Sequence, residues 1–298
     1  MIAVDIGIPV YNEEKNIENL LEDIRLQTLP TGFKLNKILV ISDRSTDKTH
    51  ELVSNFPNLN KKVKLIIKNI RTGKRKSLEL LFRISSADVM VLFDGDIRLE
   101  KDTLYNLTRK FANNKNLGLV AGNPIPVMKY NTIGEKASYF SWVLISNIKR
   151  YNSNSIYCVH GRIVAMSRKL FKNLKLLRDQ GDDQSLYIKC KQKKLKMVYS
   201  DKSKVYYNIP IYFSDYLKQR LRFRTTIRQK SQILGKYIVK REFTIKNKFR
   251  IVVNSIISHP LYFLYWLFFY LFSNLLYIFL LIKNNRVTET WEISQSTK

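Results

Sequence analysis

Two aspartates separated by one glycine follow an apolar run in VLFDGDIRLE, residues 91–100. The glycine lets the backbone turn sharply between Asp94 and Asp96. Two carboxylates at the end of a strand can hold a divalent cation, and that cation can bridge to phosphate oxygens. An ordinary polar turn is the alternative interpretation of the pair taken by itself. We predict that Asp96 and Asp94 hold Mg²⁺ or Mn²⁺.

Further polar residues follow the first two apolar runs of the chain. In IGIPVYNEEKNIENLL, Pro9 precedes Tyr11 and Glu13, which lead into a helical pattern. These residues could line a pocket for a base and a ribose, or the acidic ones could simply cap the helix. In ILVISDRSTDKT, one of Asp43 and Asp47 could hydrogen-bond a nucleobase or ribose while the other caps the next helix.

A basic cluster occurs in RTGKRKSLELL, residues 71–81. Arg71 and Lys74 flank Gly73 where a loop is predicted to enter a helix. Cationic side chains beside a helix N-terminus suit a diphosphate. A solvated basic turn is the competing interpretation in so basic a chain.

Short apolar runs alternate with amphipathic ones through the first half of the chain, from IAVDIGIPV to LGLVAG. Alternating strands and helices predict a mainly parallel sheet with helices on both faces. Ligands of such sheets bind outside the carboxyl ends of the strands. The clusters described above directly follow predicted strands or open predicted helices, so we expect them to gather at one edge of the sheet.

The composition favours an anionic partner. The 298 residues carry 52 Lys and Arg against 24 Asp and Glu, a formal net charge of +28. Nucleic acid, a membrane surface and a phosphorylated substrate all fit such a charge. The two cysteines, Cys158 and Cys190, form neither a CxxC pair nor a metal-ligand spacing, which argues against a disulfide scaffold or a zinc module.

The C-terminal quarter has a different character. Residues 216–248 are strongly basic, and PLYFLYWLFFYLFSNLLYIFLLI, residues 260–282, contains no charge. The uncharged segment has about the 20 residues needed to cross a bilayer. A buried core helix is the alternative. Lys and Arg beside such a segment favour an anionic membrane surface and, by the positive-inside rule, a cytoplasmic catalytic domain at the cell membrane.

Four motifs occur in the order IPVYNEEKNIENLL, VISDRSTDKT, RTGKRKSLELL and VLFDGDIRLEKDTL. In this order and at this spacing they resemble the nucleotide-binding half of glycosyltransferase family 2, which has the GT-A fold, here in a membrane-associated member. The resemblance implies a Rossmann-like, mixed and mainly parallel sheet with helices on both faces, followed by C-terminal membrane-associated helices. It also implies the donor-binding residues Pro9, Tyr11, Glu13, Asp43, Arg71, Lys74 and Asp94.

Later segments extend the resemblance. GDDQSL resembles the acidic motif of the family at a helix start, so Asp183 would be the catalytic base and Asp182 its acidic neighbour. QRLRF resembles the QxxRW motif, with Phe223 in place of tryptophan. The residues expected near the acceptor or diphosphate are Gly161, Asp182, Gln219, Arg222 and Phe223.

The resemblance implies an inverting, metal-dependent transfer of a sugar from a UDP- or GDP-sugar to a lipid-linked or glycan acceptor. The acidic pair at a helix start favours a hydroxyl acceptor, because a phosphate is already ionised near neutral pH and needs no base. A nucleotidyltransferase of similar fold and a membrane-anchored nucleic-acid-binding protein are the alternatives, although no nucleic-acid-binding motif stands out.

The predicted organisation has five parts. Residues 1–122 form the nucleotide-sugar-binding half of the GT-A domain and residues 123–210 the acceptor-binding half. Residues 211–250 form basic juxtamembrane helices, residues 251–282 a transmembrane or re-entrant segment, and residues 283–298 a polar tail.

Overall fold

The computed structural model describes residues 1–57, 62–177, 181–217, 220 and 245–282. The chain divides into two compact units. The first comprises Met1–Ile125 and Cys158–Tyr207, and the second comprises Pro126–Tyr157 and Asn208–Lys298. The five-part organisation predicted from the sequence stays a prediction.

Strands and helices alternate along the first part of the chain. The strands are β1 (Ile2–Val10), β2 (Phe33–Ser42), β3 (Val63–Ile67), β4 (Val89–Phe93), β5 (Ile97–Leu99), β6 (Leu117–Val127), β7 (Ile163–Ser167) and β8 (Lys196–Asn208). The described helices are α1 (Ile17–Arg25), α2 (Thr49–Ser54), α3 (Lys74–Ile84), α4 (Thr103–Thr108), α5 (Ile133–Tyr151), α6 (Arg168–Phe171), α7 (Asp182–Gln192), α8 (Lys248–Ser258) and α9 (Pro260–Ile282).

The first unit carries an eight-stranded mixed sheet in the order β3-β2-β1-β4-β7-β6-β8-β5. Strands β3, β2, β1 and β4 run parallel, whereas β7 pairs antiparallel with both β4 and β6. The parallel strands β1 and β4 are apolar and almost entirely buried, as expected of strands covered on both faces. The predicted α/β fold class is therefore confirmed.

Helices cover both faces of β1. The even-numbered side chains Val4, Ile6 and Ile8 belong to the same buried cluster as the apolar stripe of α1. On the opposite face, a Cβ on Gly7 would lie 2.9 Å from Leu81 of α3. A side chain at position 7 would therefore displace the end of the Leu81 side chain, so Gly7 allows Leu81 to pack closely on the sheet.

Three further segments complete the description of the fold. Residues 156–158 form a 3₁₀ helix. The two short runs KMVYS and KVYYN form one continuous strand, β8. The three-residue strand β5 was not predicted; it pairs with β8, and Arg98 of β5 donates to Asp23 of α1 at 2.7 and 2.8 Å.

The second unit is helical in its described part. Helix α5 begins with a capping box, in which Thr132 accepts from the Glu135 amide and Glu135 accepts from the Thr132 amide. It packs on α8 and α9, and Phe140 of α5 places its ring 5.5 Å from Phe263 and 5.6 Å from Trp266. Aromatic contacts thus hold these helices together.

Helix α9 is, among the described helices, the candidate for crossing a membrane. Its window Pro260–Tyr277 is long and apolar enough, and only 11 % of that window is buried within the structure. A core helix of a soluble protein would be mostly buried, so the exposure favours the membrane interpretation.

Candidate functional site

Asp94 and Asp96 lie in the turn between β4 and β5, at the carboxyl end of β4. A Cβ on Gly95 would lie 2.9 Å from Cγ of Glu13 and 3.2 Å from Val10, so this position admits only glycine without displacing Glu13. Glu13 is itself buried and accepts a hydrogen bond from Asn16 at 2.9 Å. Gly95 therefore allows the turn between the two aspartates to approach Glu13 closely.

Lys74, the first residue of α3, connects the aspartate turn to the start of α7. Its Nζ donates to Asp94 Oδ1 and lies 4.0 Å from Asp182 Oδ2. Burial alone would lower the pKa of Lys74, but the carboxylates of Asp94 and Asp182 outweigh it and raise the pKa. A Cβ on Gly161 would lie 3.6 Å from the same Nζ, so Gly161 leaves room for the ammonium group.

Arg162 faces the aspartate turn from the neighbouring strand. The Asp94 amide donates to the Arg162 carbonyl at 3.2 Å, directly before the antiparallel β4–β7 pairing. Its guanidinium lies 3.8 Å above the ring centre of Tyr207. Burial would lower the pKa of Arg162, but the charges of Asp96, Tyr207, Asp94 and Asp183 combine to raise it.

Asp182 and Asp183 occupy the first turn of α7, where the free backbone N–H groups favour negative charge. Asp183 Oδ1 accepts from the Gln184 amide at 2.8 Å. Burial raises the pKa of Asp182 to about 6, with Asp183 and Asp94 adding to the rise and Lys74 opposing it. Burial likewise raises the pKa of Asp96, against the lowering effect of Arg162.

These six side chains form what we call the charge cluster: Lys74, Asp94, Asp96, Arg162, Asp182 and Asp183. The cluster contains four carboxyl groups and two cations, so its fully ionised form has an excess of two negative charges. Raised pKa values at Asp96 and Asp182 are the expected response of half-buried carboxyl groups to such an excess. The cluster is therefore suited to an additional cation.

A second group, the Asp43 loop, consists of Asp43 and residues 68–73. Asp43 Oδ1 accepts from Lys68 Nζ at 2.5 Å and from the Thr72 amide at 2.9 Å, and Oδ2 accepts from the Gly73 amide at 2.8 Å. Gly73 has φ +84°, a conformation that favours glycine. One buried carboxylate thus sets the path of the loop into α3.

The remaining predicted donor residues lie beside these two groups. Pro9 is buried near the end of β1, in register with Ile41 of β2. The guanidinium of Arg71 lies 3.9 Å above the ring centre of Tyr11. Asp47 Oδ1 accepts from the Thr49 amide at 3.1 Å at the start of α2, whereas Asp43 accepts from the amides of the loop before α3.

The structure brings most of the predicted site residues to the carboxyl edge of the parallel strands. Gln219, Arg222 and Phe223 lie outside the described residues, as do most of the basic stretch 216–248 and the whole polar tail 283–298. Arg162, Lys68 and Tyr207 were not predicted. Lys68 directly follows β3, so the rule that selected Asp43 also points to it, and Arg162 is adjacent to the predicted Gly161.

Comparison with known proteins decides the family. Residues 5–175, more than half of the chain, match the profile of glycosyl transferase family 2. The chain belongs to glycosyltransferase family 2. The predicted resemblance and the predicted enzyme class are both confirmed.

Relatives of this family 2 glycosyltransferase include enzymes named for making a glycan polymer. Poly-beta-1,6-N-acetyl-D-glucosamine synthase of Staphylococcus aureus is 29% identical over 140 residues, which cover 47% of this chain and 33% of the relative. The Staphylococcus epidermidis synthase is 23% identical over 174 residues, 58% of this chain and 41% of the relative. The chain thus matches between a third and two fifths of the length of these relatives.

Solved structures of other glycosyltransferases share the fold. Mannosyltransferase PcManGT from Pyrobaculum calidifontis, in complex with GDP-Man and Mn²⁺, superposes with a TM-score of 0.60 at 20% identity, covering 94% of this chain and 79% of that one. S. aureus TarS in complex with UDP gives a TM-score of 0.54 at 19% identity, covering 83% and 74%. These similarities support the GT-A-like architecture.

The donor set of this family 2 glycosyltransferase fits a divalent cation in part. Within the described ranges, no group of three or more His, Cys, Asp and Glu side chains is arranged to hold a metal ion. Mg²⁺ and Mn²⁺, however, bind through one or two carboxylates when phosphate oxygens and water complete the shell. Asp94 and Asp96, in a cluster with excess negative charge, match that requirement.

Proposed function

We propose that this glycosyltransferase transfers a sugar from a UDP- or GDP-sugar to a hydroxyl of a lipid-linked or glycan acceptor, with inversion at the anomeric carbon. The observation that carries the proposal is the charge cluster at the carboxyl edge of the parallel strands. Four carboxyl groups gather there around two cations, with Gly161 beside Lys74 and Asp183. The nucleotides named for the solved neighbours are of these two kinds.

The proposed donor pocket uses the residues around the Asp43 loop. Pro9, Tyr11, Glu13 and Asp43 would surround the nucleoside, and Arg71, stacked on Tyr11, would face the phosphates. Asp43 and the loop amides are already fixed by their mutual hydrogen bonds. A preformed pocket of this kind loses little conformational entropy when the nucleotide binds.

The proposed leaving-group site uses Lys74 and the aspartate turn. Asp94 and Asp96 would hold Mg²⁺ or Mn²⁺, which when bound supplies Lewis-acid stabilisation of the departing diphosphate. Lys74 begins α3 and would add its ammonium charge and the free N–H groups of the helix start. From the resemblance of QRLRF to the QxxRW motif, we also propose that Gln219, Arg222 and Phe223 take part in binding the acceptor or the diphosphate.

Asp183 is the proposed general base. It lies at the start of α7 beside Gly161, which has no side chain to block an approaching hydroxyl. The acceptor oxygen would attack the anomeric carbon opposite the leaving diphosphate, which gives inversion, while Asp183 takes the hydroxyl proton. A positioned general base contributes roughly a hundred- to ten-thousandfold to the rate.

We also propose that the reaction takes place at the cytoplasmic face of the cell membrane. The exposed apolar helix α9 supports attachment to a bilayer. The basic excess preceding it, with a formal net charge of +28 in the whole chain, supports contact with anionic lipid headgroups. A membrane lipid or a lipid-linked glycan would then be within reach of the site.

The test is a thermal-shift screen of UDP- and GDP-sugars in detergent, with and without Mg²⁺ or Mn²⁺. A donor at a hundred times its dissociation constant should stabilise the wild-type protein by about 2.7 kcal/mol. Asp96→Ala should remove the metal-dependent part of that shift and leave the melting temperature without ligand close to that of the wild type.

The exposed Asp102 at the start of α4 supplies the control, because Asp102→Ala makes the same change away from the site. Retention of the full metal-dependent shift in Asp96→Ala would contradict the proposed metal site. Release of pyrophosphate instead of a nucleoside diphosphate on turnover would contradict the proposed reaction.

A further inference from the structure

Arg162 has a buried donor that nothing in the described part of the chain satisfies. Its Nε makes no hydrogen bond, and its Nη1 has a long contact of 3.4 Å to His160 Nε2. The nearby carboxylates of Asp94 and Asp96 form no ion pair with it among the described residues. A buried guanidinium nitrogen without a partner is costly, so its presence points to a group that arrives with a ligand.

The position of Arg162 restricts what that group is. Arg162 lies opposite Asp94, at the carboxyl edge of the sheet where the aspartate turn and the start of α3 meet. The planar guanidinium group of an arginine can donate two parallel hydrogen bonds to the oxygens of a phosphate. A neutral ligand group would fit it less well. An anion reaching Arg162 would also come close to Lys74, because both cations surround Asp94.

We infer that Arg162 binds the diphosphate of the nucleotide donor, and that Tyr207 is a positioning residue that holds the guanidinium in place. This inference rests on the proposed function. The guanidinium is 3.8 Å from the ring centre of Tyr207, close enough for a cation–π contact that fixes the plane of the fork and leaves its edge open. Tyr207 reaches this position because β8 pairs with β5, placing Tyr207 in register with Ile97 next to Asp96.

The experiment compares ligands that differ only in their phosphates. Dissociation constants of UDP and GDP, and of uridine and guanosine, are measured by calorimetry for wild type, Arg162→Met and Arg162→Lys, at fixed Mg²⁺. For whichever nucleoside diphosphate the wild type binds, Arg162→Met should raise the dissociation constant about ten- to a hundredfold. The dissociation constant of the matching nucleoside should stay within about twofold of the wild-type value. Arg162→Lys should fall between them, because it keeps the charge and loses the fork.

Each outcome has a defined meaning. If Arg162→Met weakens binding of the diphosphate and of the nucleoside equally, the inference is overturned. It is also overturned if the substitution weakens the binding of neither ligand. Geranyl diphosphate is measured in parallel as a probe for a lipid diphosphate acceptor. If Arg162→Met binds UDP and GDP as the wild type does but no longer binds geranyl diphosphate, Arg162 binds an acceptor phosphate and the inference is wrong. If the wild type binds neither UDP nor GDP, the proposed function fails before Arg162 is tested.

Tyr207 provides a second test that a merely structural role would not pass. Tyr207→Phe keeps the ring face and should bind the diphosphate within about twofold of the wild type. Tyr207→Leu removes the face and should weaken the diphosphate several-fold, roughly the size of one cation–π contact, with the nucleoside unchanged. Loss of diphosphate affinity in Tyr207→Phe, or none in Tyr207→Leu, would remove Tyr207 from the inference.

Discussion

The Asp43 loop and the charge cluster lie at the same edge of the sheet and treat buried carboxyl groups in opposite ways. Asp43 has three donors for its two oxygens, one from a lysine and two from backbone amides. Asp182 is 4.0 Å from its nearest cation, and Asp183 and Asp94 crowd it. Asp43 is thus fixed by hydrogen bonds, whereas burial and the neighbouring carboxylates raise the pKa of Asp182.

This difference suggests different roles for the two regions: the Asp43 loop is mainly structural, and the charge cluster is suited to catalysis. A carboxylate that already accepts several hydrogen bonds holds its loop in one conformation. A carboxylate without enough hydrogen bonds or cations around it can bind a further cation or stabilise positive charge in a transition state. We therefore expect substitutions in the charge cluster to affect turnover or to raise stability, and substitutions in the Asp43 loop to lower stability.

The largest expected effect is on turnover, from Lys74→Met. The change removes the cation between Asp94 and Asp182 without changing the length of the buried side chain greatly. Loss of one such electrostatic donor typically costs about 3 kcal/mol in the barrier, so kcat should fall about a hundred- to a thousandfold. Steady-state kinetics with the donor identified by thermal shift would measure it.

Lys76→Met is the matched control for this prediction. Lys76 lies on the same helix, is largely exposed and, among the described residues, forms an ion pair with Glu79 alone, so its loss should change kcat less than about threefold. Equal effects of the two substitutions would mean that the charge of α3 as a whole matters and the position of Lys74 does not.

The next effect in size is a loss of stability in Asp43→Ala. The substitution leaves the partly buried ammonium group of Lys68 without its carboxylate and removes the acceptor of two loop amides. Removing one partner of a buried ion pair costs about 3 kcal/mol or more, and chemical denaturation in detergent would show it. Asp102→Ala, at an exposed position, should cost less than about 0.5 kcal/mol. A stable Asp43→Ala protein would show that the loop is held by other contacts.

The two regions also differ in how far the sequence predicted them. The alternation of strands and helices and the polar residues at strand ends predicted the parallel half of the sheet and its edge correctly. Short antiparallel pieces were less predictable: β5 has three residues, and its place depends on β8, about a hundred positions later in the chain. Local periodicity carries no information about pairings of that separation.

Within the site, the sequence predicted which residues lie at the strand ends better than it predicted which of them form ion pairs. The sequence identified Asp43 and Asp94 as strand-end carboxylates, but not that Lys68 neutralises one and Lys74 the other. Arg162 was missed because a single basic residue before an apolar strand is unremarkable in a chain with 52 Lys and Arg residues. Its significance comes from the antiparallel strand β7, which places it opposite Asp94.

The smallest predicted effect has the opposite sign: Asp182→Asn should stabilise the protein at pH 8. The pKa of Asp182 is about 6 in the folded protein and 3.8 for an unperturbed carboxyl group. Between these values the folded state binds more protons than the unfolded state, so the contribution of Asp182 to stability is fully present below pH 3.8. It is lost as the pH rises through 6. Asparagine resembles the protonated form at every pH and avoids the loss.

The stabilisation by Asp182→Asn should reach about 2 kcal/mol at pH 8 and shrink towards zero below pH 4, since about two pKa units are involved and the group is partly exposed. Unfolding curves of both proteins from pH 4 to pH 8 would measure it. In the control Asp102→Asn, the free energy of unfolding should depend on pH as it does in the wild type. Parallel curves for wild type and Asp182→Asn would mean that Lys74 fully compensates the charge. The charge cluster would then be as well satisfied as the Asp43 loop, and the contrast between the two regions would disappear.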